Sequence, residues 1–191
     1  KVNADKSGIA STANDDDRIT PIGKIIRKVK FDEISQLINV FIGSMSLVGP
    51  RPQVAQDVKL YTNKEKTLLT VRPGITDFAS IVFSDEGNIL EGSDDPDRDY
   101  NDLIRPWKSR LGLFYIEKKS LYLDFRLIII TVIAILSKQR ALKIINSILN
   151  KLKADELLIQ ISLRENKLKP YLPPGFEKTD TSRNILIWDT D

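Results

Sequence analysis

The feature that most constrains this chain is an uncharged run of eleven residues, Leu127 to Ser137, set between Asp124 and Arg126 on one side and Lys138 and Arg140 on the other. As a helix it is about 16 Å long, against a hydrocarbon thickness of roughly 30 Å, so it cannot cross a bilayer. It is either a buried core helix or a helix lying in the plane of a membrane surface, with its basic flanks toward lipid phosphates. Ala141 to Lys153 repeats the theme, with Leu142, Ile145, Ile148, Leu149 and Leu152 opposite Lys143, Lys151 and Lys153. Two such helices in succession favour the membrane-surface reading.

Proline and glycine divide the rest of the chain. Residues 1–16 are small and polar and read as an irregular leading segment. Thr20-Pro21 suits a helix start, followed by Ile22, Ile25, Ile26 and Val29 at helical spacing; a second helix carries Phe31, Ile34, Leu37, Ile38 and Phe41 and stops at Gly43. Gly49, Pro50 and Pro52 forbid a helix over 44–52. The pattern then predicts a helix over Gln53–Thr70, a type II turn at Pro73-Gly74, a strand over Ile75–Phe83 and, beyond an acidic loop, a helix from Pro106 to about Lys119. A last helical stretch reaches about Lys167, followed by a proline-rich connector and a strand-like Asn184–Trp188. The expected fold is α+β and helix-dominated, with amphipathic in-plane helices and a short sheet or hairpin, and no internal repeat is visible. It divides into the leading segment 1–16, a central domain over 17–137 and a C-terminal amphipathic helix and tail over 138–191.

Composition restricts the chemistry. The 191 residues contain no cysteine and no histidine, which excludes disulfides, thiolate nucleophiles, zinc sites built on sulfur or imidazole, and histidine general bases. Catalysis would have to use carboxylates, Lys, Arg, Tyr or Ser, and a metal would have to sit among oxygens, which favours Mg²⁺ or Ca²⁺. A net charge of +3 names no partner, but its distribution is uneven. Lys24, Arg27, Lys28 and Lys30 form a basic cluster, whereas residues 84–102 hold eight acids against the single base Arg98. Lys1 stands where an initiator Met is usual, and no export signal is visible, as expected of a piece of a longer protein.

Asp32 and Glu33 open a helix beside the basic cluster. Acidic residues in a first turn are ordinary capping; a carboxylate pair without histidine can equally serve as nucleophile and as metal ligand or base. Pro50-Arg51-Pro52 presents one guanidinium between two stiff residues, and Arg72 repeats this ahead of Pro73-Gly74. Each is either a solvated loop arginine or a planar fork for phosphate oxygens.

The order of these motifs carries a resemblance. Asp17-Arg-Ile-Thr-Pro-Ile-Gly-Lys-Ile-Ile-Arg27, the stretch Phe31-Asp-Glu-Ile through Leu47-Val-Gly-Pro-Arg-Pro52, and Val71-Arg-Pro-Gly-Ile-Thr76 together resemble the bacterial sugar transferases known as monotopic phosphoglycosyl transferases, over roughly residues 17–137. The resemblance implies transfer of a phosphosugar from a UDP-sugar to polyprenol (undecaprenyl) phosphate with Mg²⁺, at the cytoplasmic face of the bacterial inner membrane, initiating polysaccharide or glycoconjugate synthesis. It implies Asp32 as nucleophile, Glu33 (with Asp32) at the metal, and Arg27, Arg51 and Arg72 on phosphates. The family's apolar re-entrant helix and basic segment would lie upstream of Lys1. After Thr76, where many members have Gly and then Ala-Gln, this chain reads Asp77-Phe78-Ala79-Ser80. The alternative is a membrane-surface binding module that is catalytically incomplete. Nucleic-acid binding is disfavoured, since no aromatics interleave with the basic cluster and the acidic loop would repel a phosphate backbone.

Overall fold

The structure, a computed structural model, describes Thr20 and residues 36–176. Arg27, Asp32 and Glu33, the segment 1–16, the 21–29 helix and the 184–188 strand lie outside the described residues.

The described chain is dominated by helices, with one small sheet. Helix α1 (Gln36–Ile42) ends as expected at Gly43, whose φ of 86° only glycine adopts without strain. Strand β1 (Ser46–Val48) pairs in parallel with β2 (Gly74–Thr76), Ser46 opposite Gly74 and Val48 opposite Thr76. The expected short sheet is therefore a parallel pair and not a hairpin.

Three local expectations need correction. The 53–70 helix is broken: α2 (Ala55–Lys59) stops, and a 3₁₀ turn follows only at Glu65–Thr70. Between them Thr62 and Glu65 exchange bonds, Thr62 N–H donating to Glu65 Oε2 (2.9 Å) and Glu65 N–H to Thr62 Oγ1 (3.1 Å), so a reciprocal cap starts a new element. Gly74 does not take a positive φ, which removes the type II turn. The strand ends at Thr76, because Asp77 caps helix α3 (Phe78–Val82) by accepting the Ser80 N–H at 2.7 Å. The apolar run of that helix is buried in the core.

The acidic stretch is not an open loop. It forms α4 (Glu86–Ile89), α5 (Pro96–Asp99, capped by Asp95) and a π-helical turn, Tyr100–Ile104, which leads into α6 (Arg105–Lys118) with Pro106 in its first turn. Helix α7 (Leu121–Leu136) follows, with Ser120 as its cap. Leu123, Leu127 and Ile130 face the core, while Tyr122, Phe125, Ile129, Val132 and Leu136 form a second apolar stripe that faces outward. It is thus neither a fully buried helix nor one with a single apolar face. Helix α8 (Lys138–Lys151) buries its apolar stripe, Ala141, Leu142, Ile145, Ile148 and Leu149, in the core, which leaves that stripe unavailable to any outside surface. Helix α9 (Glu156–Leu163) closes on α8 and ends earlier than expected, at Arg164 in the left-handed conformation.

The segment after α9 returns across the molecule. Tyr171 stacks on Trp107 with ring centroids 4.5 Å apart, Arg110 donates to the Leu172 carbonyl (2.7 Å), and Thr62 Oγ1 donates to the Pro174 carbonyl. The connector is thereby bound to α6 and to the loop after α2. Among the described residues no helix is long and apolar enough to cross a membrane.

Candidate active-site cleft

The two arginine motifs, 21 residues apart in sequence, meet through their glycines. Beyond the β ladder, Gly49 N–H donates to the Thr76 carbonyl (2.9 Å) and Gly74 N–H donates to the Pro50 carbonyl (2.9 Å). A Cβ on Gly49 would stand 2.8 Å from the Arg72 carbonyl oxygen, and a Cβ on Gly74 would run into the Gly49 backbone. Backbone therefore lies on backbone, and Pro50-Arg51-Pro52 is pinned against Arg72-Pro73-Gly74. Gly112 of α6 closes the other side, where a Cβ would be 2.9 Å from Leu68 Cδ2 and would touch the Pro50 ring.

Between these segments and α6 opens a cleft of about 200 Å³, with Arg51, Gln53, Tyr61, Asp77, Tyr100 and Lys108 as its main polar lining. Lys108 pairs with Glu86 at 2.7 Å and lies 5.3 Å from the Tyr100 ring centroid. Burial works against its charge, but Tyr100 and Glu86 outweigh that and hold the ammonium above the ordinary lysine range. Tyr100 in turn donates to Gln53 Oε1 (3.3 Å). Asp77 is only 1% exposed; burial raises its pKa, opposed by the Ser80 N–H and by the nearby charges of Lys108 and Arg51. Burial also raises the Tyr61 hydroxyl.

One wall is held by an ion pair removed from water. Arg105 grips the fully buried Glu65 in a bidentate fork, Nε to Oε1 (3.1 Å) and Nη2 to Oε2 (2.8 Å), while Ser109 Oγ adds a bond to Oε1 (2.8 Å). Arg105 also donates to the Leu60 carbonyl (2.7 Å). Every lone pair of the carboxylate is thus directed at a donor from α6 or the Thr62 loop, the condition under which a buried pair is tolerated.

Of the residues singled out in the sequence, Arg51 lines this cleft. Arg72 is exposed and does not line it, although its neighbours Val71 and Pro73 do. Arg27, Asp32 and Glu33 lie outside the described residues. No local pattern marks Lys108 or the Glu65–Arg105 pair, because their partners stand 22 and 40 residues away. Asp77 was visible only as a departure after Thr76. Among the described residues no group of three or more carboxylates could hold a metal ion.

Residues 1–138 match the family model described as bacterial sugar transferase. The chain belongs to that family. Over 130 residues it is 35% identical to the galactosyl transferase CpsE of Streptococcus agalactiae serotype III, covering 68% of this chain and 26% of that protein. Over 138 residues it is 36% identical to the UDP-glucose:undecaprenyl-phosphate glucose-1-phosphate transferase of Xanthomonas campestris pv. campestris, 70% of this chain and 26% of the relative. With the undecaprenyl-phosphate galactose phosphotransferase of Salmonella typhimurium it shares 48% identity over 61 residues, 32% of this chain and 13% of the relative. The chain thus spans about a quarter or less of the length of these relatives. The bacterial sugar transferase match includes both glycine-locked arginine motifs, α6 and α7; α8, α9 and the returning connector lie beyond it.

Proposed function

We propose that this chain carries the catalytic part of a sugar-phosphate transferase, which moves a phosphosugar from a UDP-sugar to polyprenol (undecaprenyl) phosphate at the cytoplasmic face of the bacterial inner membrane and so initiates polysaccharide or glycoconjugate synthesis. The observation that carries this reading is the pinning of Pro50-Arg51-Pro52 against Arg72-Pro73-Gly74 beside a polar cleft, in a chain of the bacterial sugar transferase family. Phosphoryl transfer asks mainly for positioning and for neutralisation of spreading charge, which guanidinium groups supply without histidine.

In this reading a carboxylate oxygen of Asp32 attacks the sugar-bearing phosphorus of the donor. An Asp32 O–P bond forms, the P–O bond to the UMP phosphate breaks, and UMP leaves with the electron pair. A phosphate oxygen of the polyprenol phosphate then attacks the same phosphorus, which releases the Asp32 carboxylate and leaves a polyprenyl diphosphosugar. Arg51 holds phosphate oxygens at the cleft, with Arg27 and Arg72 assigned to donor or acceptor phosphates. The oxygen donors of Asp32 and Glu33 suit Mg²⁺, which when bound would offset phosphate charge. The outward stripe of α7, with Arg126 beside Tyr122, suits a lipid headgroup interface.

The test is UMP release from UDP-sugars by the intact protein in polyprenol phosphate-containing vesicles, together with mass spectrometry of a trapped adduct. A phosphosugar on Asp32 and loss of both signals in Asp32→Asn are expected. Wild-type UMP release by Asp32→Asn removes the nucleophile, and vesicle binding with no turnover from any donor replaces the enzyme by a membrane-surface binding module.

A further inference from the structure

We propose that the cleft between the Pro50-Arg51-Pro52 segment and α6 receives the sugar ring of the donor, with the Asp77 carboxylate and Gln53 accepting or exchanging hydrogen bonds with its hydroxyls. The proposal rests on the reading of a nucleotide-sugar donor given above and adds to it where the sugar lies and what reads it.

Charge gives the first reason. A pocket meant for a phosphate group does not place a buried carboxylate in its wall, since two anions in a poorly solvated space repel. Here Asp77 is buried at the cleft and Asp57 joins it in the lining, while the two strongest cations of the α6 side are already matched, Arg105 by Glu65 and Lys108 by Glu86. Arg51 also lines the cleft, from the proline-flanked motif rather than from α6. The interior thus suits a neutral polar group, and the Arg51 side suits the phosphate attached to it.

Chemistry gives the second. Asp77, Gln53, Tyr61 and Tyr100 offer carboxylate, amide and phenol groups, which together both accept from and donate to hydroxyls. Val71, Pro73 and Ala79 add an apolar wall suited to the C–H face of a pyranose ring. Size gives the third. A space of about 200 Å³ is smaller than the roughly 300–1,000 Å³ of cavities that enclose drug-sized ligands, so it admits one ring and not a whole nucleotide sugar. Asp77 is also well placed to discriminate: it is fixed by its own cap bond to Ser80, so a hydroxyl of the wrong configuration leaves a buried carboxylate oxygen unsatisfied.

Saturation-transfer NMR on the intact protein with UDP-glucose, UDP-galactose and their N-acetylhexosamine counterparts reads each half of the ligand separately. In the wild type, at least one donor should show saturation of both uracil and sugar-ring protons. Asp77→Asn keeps a good helix cap while removing the charge and one acceptor, and should lower sugar-ring saturation several-fold with uracil saturation retained. Gln53→Ala, which leaves the cap untouched, should act in the same direction and carries the test if Asp77→Asn does not fold. Unchanged sugar signals in the folded variants, or a loss confined to uracil, would overturn the proposal and assign the cleft to another part of the ligand. Absence of saturation from every donor in the wild type would instead sink the donor reading on which this one stands.

Discussion

Gly74 lies so close to the Gly49 backbone that it cannot carry a side chain, and a Cβ on Gly49 would in turn stand 2.8 Å from the Arg72 carbonyl oxygen, so this contact fixes where Arg51 stands relative to Arg72. The consequence is testable by stability. Gly74→Ala should destabilise the protein by about 2–3 kcal/mol or more, as expected of an overpacked site where the obstacle is backbone and cannot rotate away. Gly43→Ala is the control: it has a positive φ but open space around it, so only conformational strain of about 1 kcal/mol applies. Equal shifts in denaturant midpoint for the two variants would show that the glycine contact is not a constraint.

The Glu65–Arg105 pair yields a second expectation. Glu65→Gln leaves the Arg105 guanidinium buried with a neutral partner, and Arg105→Met leaves the carboxylate without its fork; each should cost about 3–5 kcal/mol. The double replacement Glu65→Gln with Arg105→Met should cost less than the sum of the singles, because no charge is then stranded. Urea denaturation of the four proteins measures the coupling, and simple additivity would argue against a shared buried pair.

How much of this was legible in the sequence follows from the range of the interactions. The stop at Gly43, the Pro106 helix and the absence of a helix over 44–52 depend on neighbouring residues and agree with the structure. The Gln53–Thr70 helix was misread because the Thr62–Glu65 cap competes with helical propensity, and Asp77 ended the predicted strand by the same kind of local bond. Gly74 was assigned to a turn because a glycine after proline fits one; its use as a point of backbone contact depends on Gly49, which no local pattern reveals. Lys108 was missed for the same reason, as its position acquires meaning only from Glu86 and Tyr100.

A pH dependence follows from three carboxylates. Burial is the leading cause that raises Asp57, Asp77 and Asp102 above the ordinary aspartate value of 3.8. A raised acid in the folded state binds more protons than in the unfolded state, so stability from these groups is greatest below 3.8 and declines as pH rises through the folded values. Asp77→Asn should therefore flatten the decline in denaturant midpoint between pH 4 and pH 7 and be no less stable than wild type at pH 7. A steeper decline in the variant would reverse the assigned direction.

The outward stripe of α7 separates stability from surface binding. Phe125→Asp with Val132→Asp alters residues that are 64% and 57% exposed, so the thermal midpoint should hardly move, since exposed substitutions usually fall within about 0.5 kcal/mol. If the stripe rests on lipid, the same change should reduce co-sedimentation with anionic vesicles at least tenfold, because both apolar area and attraction to the surface are lost. Leu127→Ala, on the buried stripe of the same helix, should behave in the opposite way, costing about 2–5 kcal/mol of stability with vesicle binding retained by the folded fraction. Vesicle binding that survives the double aspartate change would move the lipid contact to another part of the molecule.

Arg51 and Arg72 share a sequence design but occupy different places, and activity should separate them. Arg51 lines the cleft, so Arg51→Ala should lower kcat/KM for the UDP-sugar by about 100-fold, in the range found when one charge-stabilising donor is removed. Arg51→Lys should recover only part of this, because an ammonium cannot reproduce a planar fork on phosphate oxygens. Arg72 is exposed beside the cleft, and Arg72→Ala should leave the donor KM within a few-fold and act instead on the dependence of rate on polyprenol phosphate. Steady-state UMP release, with donor and acceptor varied in turn, resolves the two. The same acceptor dependence for both variants would mean that the glycine lock brings the motifs together for a single phosphate, and that separate donor and acceptor roles are wrong.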